Sequence, residues 1–539
     1  MSQTNHPNIL LIVSDQHRFD CLGPYGNRDI ETPHLDALAQ DAVTFDQSFV
    51  PCPVCAPSRY SLLTGRYVHQ HLGWDGHCTL PSGISTFPSL LKNSGYRTQA
   101  VGKMHLVPTY LDVGYERMQL AEQLGQGRFD DDYHRYLLQH GMADAIDMLD
   151  QPDFDRHDAP PAYWETFGAL PSDLPEEHHS TTWIADRADE VLKTWGPEGN
   201  LLTVSFIKPH HPFDPPAPWC DRYDPDTLSL LPGWTERCPH DDVAYRETHF
   251  SYEGMTEAQY RQVLAYYYAT ISQIDHQIGR LVETLKRNGN YENTLIVYTS
   301  DHGDYMGHHH MLLKGNYMYD PIVRVPLIIK RPGNAEADTR NDALNNNVDL
   351  TATILDAAGV EADPAMEGQS LFSSEHPRDE VFAECLWFSM EYMVRSRRYK
   401  LLVCEDAAQS RFFDLEEDPF ELNNLIASPQ HQERIAAMRE RLMHWALFDS
   451  PSRVHLDPQA PSVPSQGVPT DPKDLRRQRN EAESYFRHKA AELSRSLNAA
   501  VAVNPPTKTA SGTPQPHAAI PRTMPTYARG GSTSSTGST

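Results

Sequence analysis

Residues 51–67 read PCPVCAPSRYSLLTGRY and place Cys55 directly before a predicted helix. Pro57 suits the first turn of that helix, because its missing N–H would have no partner there. Cys55 is therefore predicted to lie at the positive end of the helix, near free backbone N–H groups. Arg59, one turn later, can point back to the same place. The stretch thus predicts a reactive side chain where an oxyanion would be held.

Two other interpretations of Cys55 are open. A buried, inert thiol is the commonest fate of a free cysteine. Cys52 and Cys55 also form a Cys-x-x-Cys pair, which is typical of redox sites and of half a metal site. No thioredoxin-like βαβ pattern surrounds the pair, and no second Cys-x-x-Cys is present to complete a zinc site. Both uses of the pair are therefore disfavoured.

The charge of the chain restricts its partners. The 539 residues carry a formal net charge of −27, which argues against nucleic acid or an anionic membrane surface as a partner. An anionic substrate would then need a locally positive pocket, built from clustered lysine, arginine, histidine or metal. The eight cysteines are scattered without a framework, and the N-terminal run lacks the charged and long apolar regions that would predict a signal peptide or a membrane span. These features predict a cytoplasmic protein.

Two apolar runs deliver polar residues at their ends. NILLIVS (8–14) is followed by Asp15 and Gln16, and TLIVYTS (294–300) is followed by Asp301 and His302. Such runs are typical of buried parallel strands, whose carboxyl ends bind ligands. Two carboxylates that meet at neutral pH need a cation, and oxygen ligands favour a hard divalent ion. The four residues predict a cation site that suits Ca²⁺ and leaves Mn²⁺ and Mg²⁺ open.

Four further residues are candidates because they also follow strand-like runs. Lys103 and His105 come after the predicted strand over 96–102, and residues at this spacing point to the same side. His210 lies in a loop that two prolines restrain. Lys314 follows a histidine triplet at 308–310, of which at least two are expected to be structural or solvated. Each residue alone could equally be a solvated or turn residue.

The order of the elements predicts an α/β fold with a large, mostly parallel central sheet flanked by helices. Beyond about residue 370, short strands over 381–385, 392–394, 399–404 and 412–415 predict a small antiparallel sheet. We therefore predict a catalytic α/β domain over 1–370 and an antiparallel subdomain with one helix over 371–450. A Pro-rich linker and helical extension are predicted over 451–503, and a disordered tail over 504–539.

The motif Cys-x-Pro-Ser-Arg, followed by Thr64-Gly65, resembles the signature of the type I sulfatases of the alkaline phosphatase superfamily. The resemblance covers roughly residues 8–420. Gln16 and His302 stand where many members have Asp and Asn. These two replacements resemble the choline sulfatases and the phosphonate monoester hydrolases. Lys103-Met104-His105, in contrast, is similar to the sulfatase branch. Near residues 74–77 relatives often have an Asn, which Asp75 or His77 would replace here.

The resemblance implies a function and a set of roles. A formylglycine-generating enzyme would oxidise Cys55 to formylglycine, whose hydrate attacks a sulfate monoester and releases sulfate and an alcohol. The divalent cation would be held by five residues: Asp15, Gln16, Cys55, Asp301 and His302. Negative charge would be held by Arg59, Lys103 and Lys314. His210 or Lys314 would protonate the departing alcohol, and His105 would act as the base that releases sulfate.

Other functions remain open from the sequence. A phosphonate monoester or phosphodiester hydrolase with the same nucleophile is the first alternative, and a non-catalytic metal- or anion-binding protein is the second. The alcohol could belong to a sulfated saccharide, to choline or to an aryl group. Trp74, Asp75, Trp164 and Trp219 could contact it, although such residues are more often surface or core. The helix predicted over 474–500 could pack on a second subunit, so an oligomer is open.

Overall fold

The computed structural model describes residues 6–123, 129–149, 159–240, 242, 249–373, 377–452, 482–493 and 495. The α-helices are α1 (Pro33–Gln40), α2 (Cys55–Thr64), α3 (Val68–His71), α4 (Phe87–Asn93), α5 (Asp132–Gln139), α6 (Ala145–Leu149), α7 (Pro161–Glu165), α8 (Ser180–Leu192), α9 (Glu257–Arg287), α10 (Asp320–Val323), α11 (Asn347–Ala358) and α12 (Gln432–His444). The strands are β1 (Asn8–Ser14), β2 (Val43–Phe45), β3 (Ser48–Phe49), β4 (Arg97–Gly102), β5 (Arg117–Leu120), β6 (Asn200–Ser205), β7 (Thr294–Ser300), β8 (Leu327–Lys330), β9 (Thr339–Asn341), β10 (Asn345–Asn346), β11 (Glu380–Leu386), β12 (Met390–Ser396), β13 (Tyr399–Cys404) and β14 (Arg411–Asp414). Residues 482–493 are also helical.

The central sheet has eight strands among the described residues, in the order β5-β4-β6-β1-β7-β8-β2-β9. Neighbouring strands are parallel except where β8 pairs with β7 and with β2. Strands β1, β6 and β7 are buried along their whole length, as the apolar runs of β1 and β7 predicted for those two strands. The α/β class and the mostly parallel sheet are therefore confirmed.

Helices cover both faces of the sheet and divide the core. The long helix α9 begins at a capping box formed by Thr256 and Gln259, and it packs against α8 and α1. Helices α2, α4 and α11 pack together with the apolar residues of the opposite face. Two regions each form a pair of short elements: β2 and β3 lie within 43–49, and α5 and α6 lie within 132–149.

A second sheet of four antiparallel strands, in the order β11-β12-β13-β14, follows in the described part of the C-terminal region. Helix α12 packs on β12 and β13, and Trp445, just beyond the helix, stacks on Phe382 with ring centroids 4.7 Å apart. The predicted antiparallel sheet is confirmed. The predicted linker over 451–473 and the tail over 504–539 lie outside the described residues, apart from 451 and 452. Among the described residues, no helix combines the length and the apolar character needed to cross a membrane.

Candidate active site

The polar residues that follow β1 and β7 lie side by side because of the strand register. The two strands are parallel, and Ser14 pairs with Ser300. Asp15 and Asp301 follow these residues directly, so both leave the sheet at the same edge. The backbone N–H of Gln16 donates to Asp301 Oδ1 at 3.1 Å and links the two strand ends. Asp15 and Asp301, nearly three hundred residues apart in sequence, thus form one surface at the sheet edge, which we call the charged floor.

Helix α2 presents Cys55 to this floor. Cys55 is the first residue of the helix, as the position of Pro57 predicted, and every residue of the helix is buried. Ser58 Oγ donates to the Asp301 carbonyl at 2.5 Å, which ties the first turn to the end of β7. The helix ends at Gly65, whose φ of 62° is a left-handed conformation that glycine adopts at little cost.

Cationic side chains converge on the Cys55 sulfur. Lys314 Nζ lies 3.0 Å from Cys55 Sγ, His302 Nε2 lies 3.2 Å away and Lys103 Nζ 4.0 Å away. Burial would raise the pKa of the thiol, but Lys103, Lys314 and His302 outweigh burial and hold this pKa well below its ordinary value. Position 55 is therefore an environment that stabilises an anion, in a chain whose net charge is strongly negative.

Asp15 is ionised in this environment. Burial and the Cys55 sulfur would each raise its pKa, yet Lys103 and Lys314 keep the pKa of the carboxyl well below its usual range. Lys103 Nζ forms a short ion pair with Asp15 Oδ2. The pKa of Asp301 is instead raised by burial, with the nearby Asp15 adding to the shift and Arg59 opposing it.

Arg59 points back to the helix N-terminus, as predicted. Its Nε donates to Asp301 Oδ2 at 2.8 Å, and its Nη1 donates to the Lys103 carbonyl at 2.6 Å and to Ser205 Oγ at 2.7 Å. Its Nη2 is buried, lies 3.5 Å from Asp15 Oδ2 and has no hydrogen-bond acceptor among the described residues. The guanidinium is thus fixed on one side and has a donor left for an anion.

Four of the predicted ligands form a group that could hold a metal ion. One ligand atom each from Asp15, Cys55, Asp301 and His302 lies within 4.8 Å of the others. His302 Nδ1 lies 2.8 Å from the Gly303 carbonyl and donates to it, so Nε2 faces the site, where the neutral ring could bind a cation. Its pKa is raised, because Asp301 and the Cys55 sulfur outweigh burial and Lys314.

Gln16 faces the same site and is held by a residue that sequence reasoning missed. Gln16 Oε1 lies 3.0 Å from Lys314 Nζ, and its Nε2 donates to Asp304 Oδ2 at 2.6 Å. Gln16 has a φ of 66°, an uncommon conformation for a residue with a side chain. Asp304 Oδ1 also accepts from the backbone of Leu313, so one carboxylate positions Gln16 and the loop that carries Lys314.

His105 and His210 both contact the Cys55 side chain. His105 has a φ of 55°, and its backbone N–H donates to the buried carboxylate of Glu122 at 2.9 Å. Glu122 was also missed, although it follows β5 as Asp15 follows β1. Burial, followed by the charge of Lys314, lowers the pKa of His210 to about 4. His210 Nδ1 lies 2.5 Å from the His211 carbonyl, so its neutral ring is oriented by the backbone.

Other candidates make local contacts or serve the fold. Asp75 and His77 are exposed, Asp75 accepts from the His77 backbone at 2.7 Å, and Gly76 between them lies against His105, so a replacement of the Asn by either residue stays a prediction. The triplet 308–310 is fully buried; His309 and His310 bond to backbone carbonyls, and His308 stacks on His309. Trp219 donates to Glu176, and Trp164 packs on the main core.

Cys52 does not serve the predicted redox alternative. All described cysteines are free, and Cys52 hydrogen-bonds to Cys385 of β11, which raises the pKa of Cys385. The Cys-x-x-Cys spacing therefore separates two residues with different neighbours. Cys55 faces the charged floor, whereas Cys52 joins its loop to the antiparallel sheet.

A buried cysteine at a helix N-terminus, above paired strand ends and surrounded by basic groups, forms a site that suits an anionic ester on an alkaline phosphatase-like fold. Residues 7–360 match the family model described as sulfatase, and residues 307–447 match the model described as N-sulphoglucosamine sulphohydrolase, C-terminal. The chain belongs to the sulfatase family of the alkaline phosphatase superfamily and is a sulfuric ester hydrolase.

Individual relatives extend this result. An arylsulfatase of Clostridium perfringens is 30% identical over 470 residues, which cover 81% of this chain and 94% of that protein. A choline-sulfatase of Rhizobium meliloti is 29% identical over 482 residues and covers 84% and 89%. The phosphonate monoester hydrolase of Agrobacterium radiobacter has a similar structure, with a TM-score of 0.68 at 24% identity over 81% of this chain and 95% of that one. The last likeness concerns the fold alone.

Proposed function

We propose that the protein hydrolyses a sulfate monoester through a formylglycine hydrate made from Cys55, with the help of a divalent cation. The products are inorganic sulfate and an alcohol. The observation that carries the proposal is the convergence of Lys103, Lys314 and His302 on one buried sulfur, with Asp15 and Asp301 beneath it. A buried, inert thiol would not require so many charges around it.

The donor set suits a divalent cation. Lys314 Nζ lies 3.0–3.1 Å from Cys55 Sγ, Gln16 Oε1 and His302 Nε2, so an ammonium already contacts three of the proposed ligands. Carboxylate and amide oxygens favour a hard ion, and we propose Ca²⁺, with Mn²⁺ and Mg²⁺ as the alternatives to be tested. When bound, the cation would polarise the ester oxygens and favour the ionised form of the attacking hydroxyl.

The modified residue would supply two hydroxyls on one carbon. One would attack sulfur as the S–O bond to the alcohol breaks, and loss of the proton from the other would expel sulfate and restore the aldehyde. A simple serine lacks this second hydroxyl. The maturation releases the sulfur of Cys55 as sulfide and oxidises its Cβ by two electrons, and we propose that a formylglycine-generating enzyme carries out this step with an external oxidant such as molecular oxygen.

The chain's own residues would do the remaining work. Arg59 Nη2, Lys103 and Lys314 would hold the charge on the transferring sulfate group. The departing alcohol needs a proton, and the lowered pKa of His210 favours Lys314 as its source. His105, whose side chain contacts position 55, would take the proton from the second hydroxyl.

A phosphonate monoester or phosphodiester hydrolase is the second candidate. A sulfate monoester and a phosphodiester carry the same charge, and the similar fold of a phosphonate monoester hydrolase supports this alternative. We expect turnover of 4-nitrophenyl sulfate to exceed that of a phosphonate monoester. The reverse order would favour the second candidate.

The nucleophile is tested by Cys55→Ala, which should lower kcat/KM at least about 10⁴-fold because no covalent step remains. Cys52→Ala, three residues away, is the matched control and should retain activity. Removal of the cation with a chelator should also abolish turnover, and Ca²⁺, Mn²⁺ and Mg²⁺ are then added back separately. Unchanged hydrolysis by Cys55→Ala would contradict the covalent mechanism.

We also propose a cytoplasmic location and a sulfated small molecule or saccharide as substrate. The free state of the described cysteines supports a reducing compartment. Fractionation of cells that produce the chain would test the location, and recovery with an extracytoplasmic fraction would contradict it.

A further inference from the structure

We propose that the tip of the β11–β12 hairpin binds the alcohol part of the substrate, and that it recognises the apolar face of a six-membered ring. The hairpin tip is defined here as Leu386, Trp387 and Phe388. The inference rests on the proposed function, since it assigns the substrate class of the same site. It predicts that sugar or aryl sulfates are bound better than acyclic ones.

The hairpin tip exposes an apolar surface. Trp387 is 45% exposed and Leu386 is 39% exposed, whereas most large apolar side chains of the described residues are buried. Phe388 is half-buried and meets the Trp387 ring edge-on, with centroids 6.2 Å apart and planes at 83°. The indole is therefore braced by a neighbouring ring, and part of its surface remains accessible to a ligand.

One side of the hairpin tip is tied to the loop that leads to the nucleophile. The backbone N–H of Glu384 donates to the Pro51 carbonyl at 2.9 Å, and Cys385 hydrogen-bonds to Cys52. Trp387 follows Glu384 by three residues, which is about 10 Å of extended strand. The strand thus passes beside residues 51–55 before it reaches the tip.

The other side is tied to the loop that carries Lys314. Asn316 Oδ1 accepts from the Phe388 backbone at 2.9 Å, and its Nδ2 donates to the Ser389 carbonyl at 2.9 Å. Asn316 is buried and lies two residues after Lys314, whose Nζ is 3.0 Å from Cys55 Sγ. The hairpin is therefore tied to the loops of two proposed catalytic residues, Cys55 and Lys314, and we place the alcohol beside its tip.

The chemistry of the hairpin tip favours a ring. Residues 386–390 read LWFSM and contain no charged side chain, so the tip offers flat apolar and aromatic surface and no ion pair. An indole face instead packs well against the C–H face of a sugar or against an aryl ring. The charged floor would hold the sulfate group whatever the alcohol, so the tip is expected to discriminate among alcohols.

The test compares Trp387→Ala, Trp387→Phe and Phe448→Ala. Phe448 is 68% exposed in the same C-terminal region and serves as the matched control. With 4-nitrophenyl sulfate and N-acetylglucosamine 6-sulfate, Trp387→Ala should raise KM about five- to ten-fold. Trp387→Phe and Phe448→Ala should stay within about two-fold, and Trp387→Ala should change the KM of ethyl sulfate, whose alcohol is acyclic and uncharged, by less than about two-fold.

Competitive inhibition by inorganic sulfate checks that the charged floor is intact, and its inhibition constant should be unchanged in every variant. An equal rise in KM and in this constant would mean that the tip only supports the floor, which overturns the proposal. Unchanged KM for both ring esters, an equal loss with ethyl sulfate, or a larger loss with choline sulfate also overturns it. If wild type turned over no sulfate ester, the proposed function would fail, but ring binding could still be tested. The affinity for phenyl sulfate is then measured by calorimetry for Cys55→Ala and for Cys55→Ala/Trp387→Ala, and the second variant should bind more weakly.

Discussion

Lys314 and Lys400 each belong to a buried group of charges, but the two groups differ in what their charges contact. Lys400 Nζ lies 2.8 Å from Asp320 Oδ1 and 2.7 Å from Glu421 Oε1, and Arg395 pairs with the same Asp320 at 3.0 Å. We call these four residues the junction cluster, because they join α10 to the antiparallel sheet. Two cations meet two anions there, and each has a partner.

The charges around Lys314 are arranged differently. Lys314 contacts the Cys55 sulfur, an amide oxygen and an imidazole, and no carboxylate ion pair of Lys314 is found among the described residues. Arg59 Nη2 and His105 Nδ1 are also buried without a hydrogen-bond partner there. A buried ion pair in which each charge has a partner belongs to the fold. Buried donors without a protein partner are instead available to bind a ligand. The two regions thus separate structural from functional burial of charge.

The sharpest test of this contrast replaces each lysine by methionine. Lys314→Met should lower kcat/KM about 10²- to 10³-fold, because one stabiliser of the transferring charge is removed. Its free energy of unfolding should change by less than about 1 kcal/mol, since no ion pair is broken. Activity and urea unfolding are measured on the same preparations.

Lys400→Met is the matched control, and its expected result is the opposite. Removing one partner of a buried pair should cost about 3–5 kcal/mol of unfolding free energy. Turnover per folded molecule should stay within about two-fold of wild type. If the two variants lost stability and activity in the same proportion, the distinction between the regions would be wrong.

A second prediction concerns pH and a carboxyl group beside the junction cluster. Burial raises the pKa of Glu391 to about 7, although it accepts from the Met318 backbone at 2.7 Å. The folded state therefore keeps a proton that the unfolded state loses near its ordinary pKa of about 4.5. This retained proton adds to the free energy of unfolding. The added stability is fully present below about pH 4.5 and is lost as pH rises through about 7, by at most about 1.4 kcal/mol per pH unit.

Glu391→Gln should remove the part of the pH dependence of unfolding free energy that comes from this carboxyl group. Unfolding free energies of wild type and variant are compared from pH 4.5 to 7.5, and the variant should gain stability relative to wild type as pH rises. Parallel curves would show that Glu391 is ionised in the folded protein and would contradict the assignment.

The smallest expected effect concerns Asp304, which orients Gln16 without contacting the proposed cation. Asp304→Ala should weaken the cation about 10- to 100-fold, because a residue that holds a ligand in place is lost. Calcium titration of the chelated enzyme measures the affinity. Asp75→Ala removes an exposed carboxylate and should leave the affinity unchanged, whereas an effect of equal size in both variants would indicate bulk charge.

Much of the fold could be predicted because apolar runs and their polar ends are local signals. The runs before Asp15 and Asp301 predicted two buried strands, and parallel pairing brought the two carboxylates together. The Cys55 helix was predicted from Pro57 in the same way. The division into domains at residue 370 stays a prediction, as do the roles of the site residues.

The parts that could not be predicted depend on tertiary contacts. Glu122 and Asp304 act by hydrogen bonds to the backbone or side chain of a site residue, and sequence does not show those partners. The role of Trp387 depends on Asn316, which lies seventy residues away in the chain. The aromatic residues chosen from the sequence, Trp164 and Trp219, are engaged elsewhere.

The proposed conversion of Cys55 to the formylglycine nucleophile is tested most directly by mass spectrometry of the peptide that contains Cys52 and Cys55. The protein is produced together with a formylglycine-generating enzyme. We expect that residue 55 alone loses its sulfur and gains an aldehyde, that Cys52 stays a thiol, and that activity rises with the converted fraction. A fully active protein in which Cys55 remains an unmodified thiol would contradict it.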